Sequence, residues 1–183
     1  MTGPVKNKNN MVWIDLEMTG LDPEKESIIE IATLVTNANL EILAEGPNLV
    51  IHQPAKLLKA MDSWNQKQHS KSGLIELVKN SKVTLKKAEK VTLDFIKEYC
   101  FPKKSPICGN AVYHDRRFII EYMPKLDAFL HYRMVDVTTL KILVEQWYPK
   151  NKELPKKKDS HRALDDIRES IVELRFYRKN YFK

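Results

Sequence analysis

Up to about His52 the apolar residues follow the pattern of strands, and over residues 57–100 they recur at helical spacing, a change of period that leaves few architectures open. After a strand-like run that begins at Val12, "SIIEIATLVTN" and "EILAEGPNLVIH" are β-rich and joined at "NANL", where Asn, Ala and Asn suit a tight reversal. This part reads as a meander of three strands. The stretches "LLKAMDSWNQKQHSKSGLIELVKN" and "TLKKAEKVTLDFIKEYC" are helical in pattern. Short strands return at "SPICGN" and "RMVDV", each followed by a helical pattern, "DRRFIIEYMPKLDAFLH" and "TTLKILVEQWY". A last helix is expected over about 160–177, with Ser160 as a cap and Leu164, Ile167, Ile171 and Leu174 as its buried stripe. The order βββ, helices, βαβα, helix predicts an α/β fold, a mixed sheet with helices on its faces, in which polar sites gather where strands end.

The first strand-like run, "VWIDLEMTGLD", carries two acids, Asp15 and Glu17, one residue apart. Side chains alternate across a strand, so the two sit side by side on one face. An unpaired buried carboxylate is costly or takes up a proton. Two of them on an apolar strand therefore need cations or a polar site at a strand end. A half-exposed edge strand would carry the same pattern, so the pair alone does not decide the matter.

The chain has 183 residues, enough for one domain with a full core and short of the usual size for two. The folded unit is expected over 11–177, with residues 1–10 disordered or extended and 178–183 a tail. Lys and Arg number 31 against 24 Asp and Glu, a net charge of +7, and the sequence pI is about 9.3. A basic surface favours polyanionic partners without naming one. Cys100 and Cys108 are the only cysteines, and no zinc-ligand spacing can be built from them; they read as buried thiols in a reducing compartment. No apolar run approaches a membrane span, and "MTGPVKNKNN" lacks the apolar core of a signal peptide, so a cytoplasmic protein is expected. No internal repeat is present. The one low-complexity stretch is the basic "KNKELPKKKDS".

Further acids stand at comparable places. Asp115 opens a helix just after "SPICGN", and Asp166 lies on the last helix, five residues beyond His161. Each has an ordinary reading: Asp115 as a cap or dipole partner, Asp166 as a solvated charge, His161 as a surface histidine. At ~100° per residue Asp166, rather than Asp165, falls on the flank of the apolar stripe and points inward. Together the ordinary readings weaken.

The set Asp15, Glu17, Asp115, His161 and Asp166, in the blocks "WIDLEMTGLD", "GNAVYHDRRF" and "SHRALDDIRES", resembles the histidine-containing DEDD exonucleases. More narrowly, "MVWIDLEMTGLDPEKESIIEIATLVT", "AEGPNLVIHQ", "DRRFIIEYMPKL", "HYRMVDVTTLK" and "ALDDIRES" are similar to oligoribonucleases, and the resemblance runs over about residues 12–177. It implies a ribonuclease-H-like fold with a five-stranded mixed sheet in a single domain. It also implies 3′-to-5′ removal of nucleoside 5′-monophosphates from RNA of two to a few nucleotides. Four carboxylates around a phosphodiester require divalent cations, and hard oxygen ligands suit two Mg²⁺ or Mn²⁺ ions that clamp the attacking and leaving oxygens. By the resemblance Asp15 would bridge both ions, Glu17 and Asp166 would complete one, and Asp115 would hold the other. His161 would take the proton from the attacking water.

The resemblance extends to the substrate. Leu21 would wedge between two bases, and Trp64 and His69 would line the pocket. In a homodimer the partner subunit's Tyr132 would stack on a base, and the partner subunit's Arg133 would approach the terminal phosphate; base stacking on an aromatic ring contributes ~1 to 3 kcal/mol. Ala111 departs from the pattern, since the family usually has serine after "GN", and Thr138, Thr139 or Arg133 would then have to hold the 5′ phosphate. No feature calls for an obligatory protein partner or a membrane. The rivals are a DEDD exonuclease for longer RNA or DNA, against which "HYRMVDVTTLK" counts, and an inactive nucleic-acid-binding domain, against which the complete ligand set counts.

Overall fold

The computed structural model describes residues 6–148 and 162–182. Strands β1 (Met11–Met18), β2 (Ile28–Thr36) and β3 (Ile42–Val50) form the expected antiparallel meander, turning at residues 37–40. Strands β4 (Ile107–Gly109) and β5 (Met134–Asp136) add in parallel on the other side of β1, giving the order β3-β2-β1-β4-β5. The result is a five-stranded mixed sheet with helices on both faces.

β1 lies at the centre of the sheet, which explains its nearly unbroken apolar run. Val12, Ile14 and Leu16 face the layer made by α4 (Leu85–Tyr99), α5 (Tyr113–Tyr122) and α6 (Pro124–Phe129), where Ala88, Ile96, Phe118, Ile119 and Leu126 are buried. On the other face Trp13 packs against α7 (Val137–Trp147) and α8 (Ala163–Tyr181), where Val137, Val144, Ile167, Ile171 and Tyr177 are buried. Burying each such side chain contributes ~1.5 to 3 kcal/mol. Asp15 and Glu17, in phase with Trp13, point toward the α8 side. Among the described residues no helix is long and apolar enough to cross a membrane.

Two expected helices are divided. The run over 57–80 is three helices, α1 (Ala55–Ala60), α2 (Ser63–Lys71) and α3 (Leu74–Asn80). Asp62 caps α2 by accepting from Asn65 N at 2.9 Å, and Gly73, at φ 73°, takes the left-handed turn that ends it. The run over 115–131 breaks at Met123, because Pro124 disfavours helical backbone in the residue before it. The buried Glu89 of α4 then caps α6, accepting from Lys125 N at 2.6 Å. The last helix runs to Tyr181, four residues past the expected end. Its final turns stay packed because Tyr181 meets the Tyr148 ring at 4.9 Å. Ser160, its expected cap, lies outside the described residues.

Candidate active site

β4 has only three residues, so β1 runs past its neighbour. The N–H of Val12 donates to Pro106 O on that side, and by strand parity the N–H of Leu16 points the same way with no strand left to receive it. Asp115 fills the gap: its Oδ1 accepts from Leu16 N at 2.8 Å. Asp115 therefore stands in the first turn of α5 without capping that helix, and its carboxylate is drawn to the end of β1. From the opposite side α8 presents Asp166, while Asp165 turns outward to Arg168 at 3.4 Å. One carboxylate oxygen from each of Asp15, Glu17 and Asp166 lies within 4.8 Å of the others.

Such crowding is electrostatically unfavourable. Asp15 is held well above the usual carboxylate range, first by burial and then by the charges of Asp115, Asp166, Glu17 and Glu30. Burial, and after it Asp166 and Glu30, push Glu17 up to about 8. Burial pushes Asp115 up to about 7, against the Leu16 N–H that favours its charged form. Each shift favours the protonated form, and a cation bound among these oxygens would favour the charged one. An all-carboxylate set with converging oxygens suits hard divalent ions such as Mg²⁺ or Mn²⁺ and offers nothing to a soft metal.

The loop after β1 is stiffly braced. Thr19 N donates to Ser27 O at 3.0 Å, the Thr19 hydroxyl donates to the Glu26 carboxylate, and the Tyr122 hydroxyl reaches Glu26 O at 2.6 Å. Arg117 Nη1 donates to Leu21 O at 3.4 Å. Leu21 projects from this frame with 60% of its surface exposed, and Trp64 on α2 is 61% exposed. His69, by contrast, is buried beneath Glu17. Its Nε2 lies 3.0 Å from Met18 O, so that nitrogen carries a proton, and Nδ1 faces Glu17 Oε2 at 3.8 Å.

Tyr132 is 74% exposed just before the edge strand β5. It is held by its neighbours in sequence: its ring stacks on His131 at 4.5 Å, and its hydroxyl accepts from Arg133 Nε at 3.0 Å. The Thr138 hydroxyl accepts from Ala111 N at 2.9 Å and donates to Asn110 Oδ1 at 3.2 Å. Asp136 accepts from the same Ala111 N–H at 3.0 Å. These bonds hold Ala111 at φ 48°, a left-handed conformation that costs a non-glycine residue roughly 1 kcal/mol. His161 lies outside the described residues.

Two residues of the site escaped the sequence reading. Glu30 on β2 is directly opposite Glu17 in the strand register and has no exposed surface. Arg162 pairs with it, Nη2 to Oε1 at 2.7 Å. The signal was available: an acid in a strand buried at all nine positions needs a cation.

Residues 12–174 match the RNase_T family model, described as Exonuclease. The oligoribonuclease of Coxiella burnetii (strain RSA 493 / Nine Mile phase I) is 58% identical over 170 residues, 93% of each chain. That of Escherichia coli (strain K12) is 54% identical over 177 residues, 97% of this chain and 98% of the relative. Among solved structures, Exonuclease I from Methylocaldum szegediense superposes with a TM-score of 0.70 at 15% identity, over 95% of this chain and 41% of that one. E. coli Exonuclease I in complex with a dT13 oligonucleotide gives 0.69 at 13% identity, over 93% and 41%. This chain spans about two fifths of those chains, and the likeness to them is one of fold.

Proposed function

The chain belongs to the RNase_T exonuclease family and, within it, to the oligoribonucleases, and from that premise we propose that it hydrolyses short single-stranded RNA from the 3′ end to nucleoside 5′-monophosphates at the end of β1. The observation that carries this reading is the convergence of Asp15, Glu17 and Asp166 oxygens within 4.8 Å. With Asp115 beside them they would hold two Mg²⁺ or Mn²⁺ ions. When bound, such ions neutralise the phosphodiester charge and lower the pKa of a water nucleophile.

The remaining work falls to the protein. His161, which precedes Arg162 at the entry to α8, takes the proton from the attacking water as general base. Leu21, on its braced loop, separates two bases of the substrate, Trp64 forms a wall of the pocket, and His69 supports the floor under Glu17. The active unit is a homodimer in which the partner subunit's Tyr132 stacks on a base and the partner subunit's Arg133 approaches the 5′ phosphate, closing the groove after a few nucleotides. Thr138 contributes by holding the turn at Ala111. What supports the dimer is the surface around β5 and α7: only Val137 and Val144 of α7 are buried, while Met134, Ile142 and Trp147 are exposed beside an open strand edge.

End-labelled RNA of two, five and twenty nucleotides, incubated with Mg²⁺ and separately with chelator, tests the reading. Metal-dependent release of 5′-monophosphates, fastest per end on the shortest RNA, is expected. Equal rates on all lengths would favour a general exonuclease, and activity in chelator would remove the metal from the account.

A further inference from the structure

We infer that Arg162 is a positioning residue for hydrolysis: its fork on the buried Glu30 fixes the first turn of α8, and so the placing of Asp166 against Asp15 and Glu17. The inference rests on the function proposed above and adds to it a component outside the carboxylate set.

Glu30 has no exposed surface and faces Glu17 across the β1–β2 ladder. It is a point on the sheet to which the start of α8 is tied; two residues past Asp166, Arg168 Nη2 makes a second, more exposed tie to Glu45 of β3 at 2.8 and 2.9 Å. Arg162 donates to Glu30 as a fork, Nε to Oε2 at 3.1 Å and to Oε1 at 3.2 Å, Nη2 to Oε1 at 2.7 Å, and the backbone N–H of Ala163 lies 3.5 Å from Oε2. A guanidinium can meet a carboxylate in this two-point, planar manner and an ammonium cannot, so the pair sets direction as well as proximity.

Arg162 also opens the helix. Its carbonyl accepts from Asp165 N at 2.9 Å and from Asp166 N at 3.1 Å. Arg162 makes no capping bond with its own side chain, and the Glu30 carboxylate lies at the positive pole of α8, 3.5 Å from Ala163 N. The backbone of Asp166 therefore hangs from a residue that is locked to the sheet. From the other side Ser170, one turn on, donates to Asp166 O at 2.8 Å and accepts from Asn110 Nδ2 at 2.8 Å, which ties the same turn to the end of β4. With oxygens converging within 4.8 Å, a rotation of the first turn by a fraction of a residue would open the cluster.

A pair that served only stability would lower the melting temperature and leave the site unchanged. The test compares the wild-type protein with R162K, E30Q and the double variant E30L/R162L. For each, melting is followed by circular dichroism, Mn²⁺ affinity by calorimetry, and kcat and KM on two-nucleotide RNA well below the melting temperature. R162K keeps the charge and loses the fork. It is expected to reduce kcat and weaken Mn²⁺ binding by about 10-fold or more, with KM changed less than about twofold, the range typical of residues that orient metal ligands. E30Q should act in the same direction. The double variant removes the buried charges together and should recover melting while kcat and Mn²⁺ affinity stay low. Wild-type kcat and Mn²⁺ affinity in both R162K and the double variant would overturn the inference and leave the pair a structural one. A wild-type protein that bound Mn²⁺ but cleaved no RNA would sink the proposed function instead, and the Mn²⁺ affinities would still decide the role of Arg162.

Discussion

The carboxylate end of β1 and the edge formed by β5 and α7 are both unusual surfaces, and they are unusual in opposite ways. At the first, three acids are held from within the chain: Asp115 by Leu16 N, Glu30 by Arg162, Asp166 by the opening turn of α8. At the second, among the described residues, Tyr132 and Arg133 brace each other and His131, and Ile142 and Trp147 of α7 stay exposed. The acid end is assembled for a ligand that brings positive charge. The edge is assembled for a surface. On the function proposed above, the chemistry is contained in one chain and the limit on substrate length comes from a second.

The largest effect expected is at the acid end. Asp15→Asn should reduce hydrolysis by on the order of 10³ or more, because it removes the central carboxylate of the cluster. It should leave the metal-free melting temperature unchanged or raised, because one of several mutually repelling buried carboxylates is gone. Rate and melting measured on one preparation check this. A variant with more than about a tenth of the wild-type rate would take Asp15 out of the chemistry and erase the contrast.

Tyr132→Ala probes the edge, with a smaller effect. The loss of one base stack, ~1 to 3 kcal/mol, corresponds to roughly 5- to 150-fold in the specificity for two-nucleotide RNA. The rate on twenty-nucleotide RNA should change less, and Mn²⁺ affinity should not change. An equal loss on both lengths would place Tyr132 in general binding rather than in the choice of length.

A further effect, read on stability rather than on rate, is a pH dependence without metal. Glu17 rises from 4.5 to about 8 and Asp115 from 3.8 to about 7 on folding. Between those values the folded chain holds protons that the unfolded chain has released. The stabilisation is complete below the unfolded values and is lost as pH rises through the folded ones. In chelator, melting should fall progressively from about pH 5 to pH 8.5, at roughly 2–4 °C per kcal/mol for a protein of this size. Saturating Mn²⁺ should restore it most at the alkaline end. A flat profile would mean that the acids are not crowded in solution.

Much of the fold was legible because it is written in local signals. The meander follows from β-branched runs and the turn at residues 37–40, and helical angle favours Asp166 over Asp165 as the inward acid by a small margin. The breaks at Asp62, Gly73 and Pro124 were also written there, yet apolar spacing carried the reading across them. The site was less legible, because its supports join residues far apart in sequence. Nothing near Asp115 foretells that a strand of three residues leaves Leu16 N–H open for it. Nothing near His69 foretells burial under Glu17. The Glu30–Arg162 pair spans 132 residues, and only the isolation of an acid in an apolar strand pointed to it.

Mixing two damaged proteins tests the division between the two regions most directly. Asp15→Asn retains Tyr132, and Tyr132→Ala retains Asp15. After the two are unfolded together and refolded in equal amounts, random pairing gives half heterodimers, each with one site that has an intact acid cluster and an intact partner tyrosine. About a quarter of wild-type turnover per site on two-nucleotide RNA is expected, well above the mean of the two variants alone. Activity no greater than that mean would show that Tyr132 serves the site of its own chain, and the account of a self-contained chemistry closed by a second subunit would be wrong.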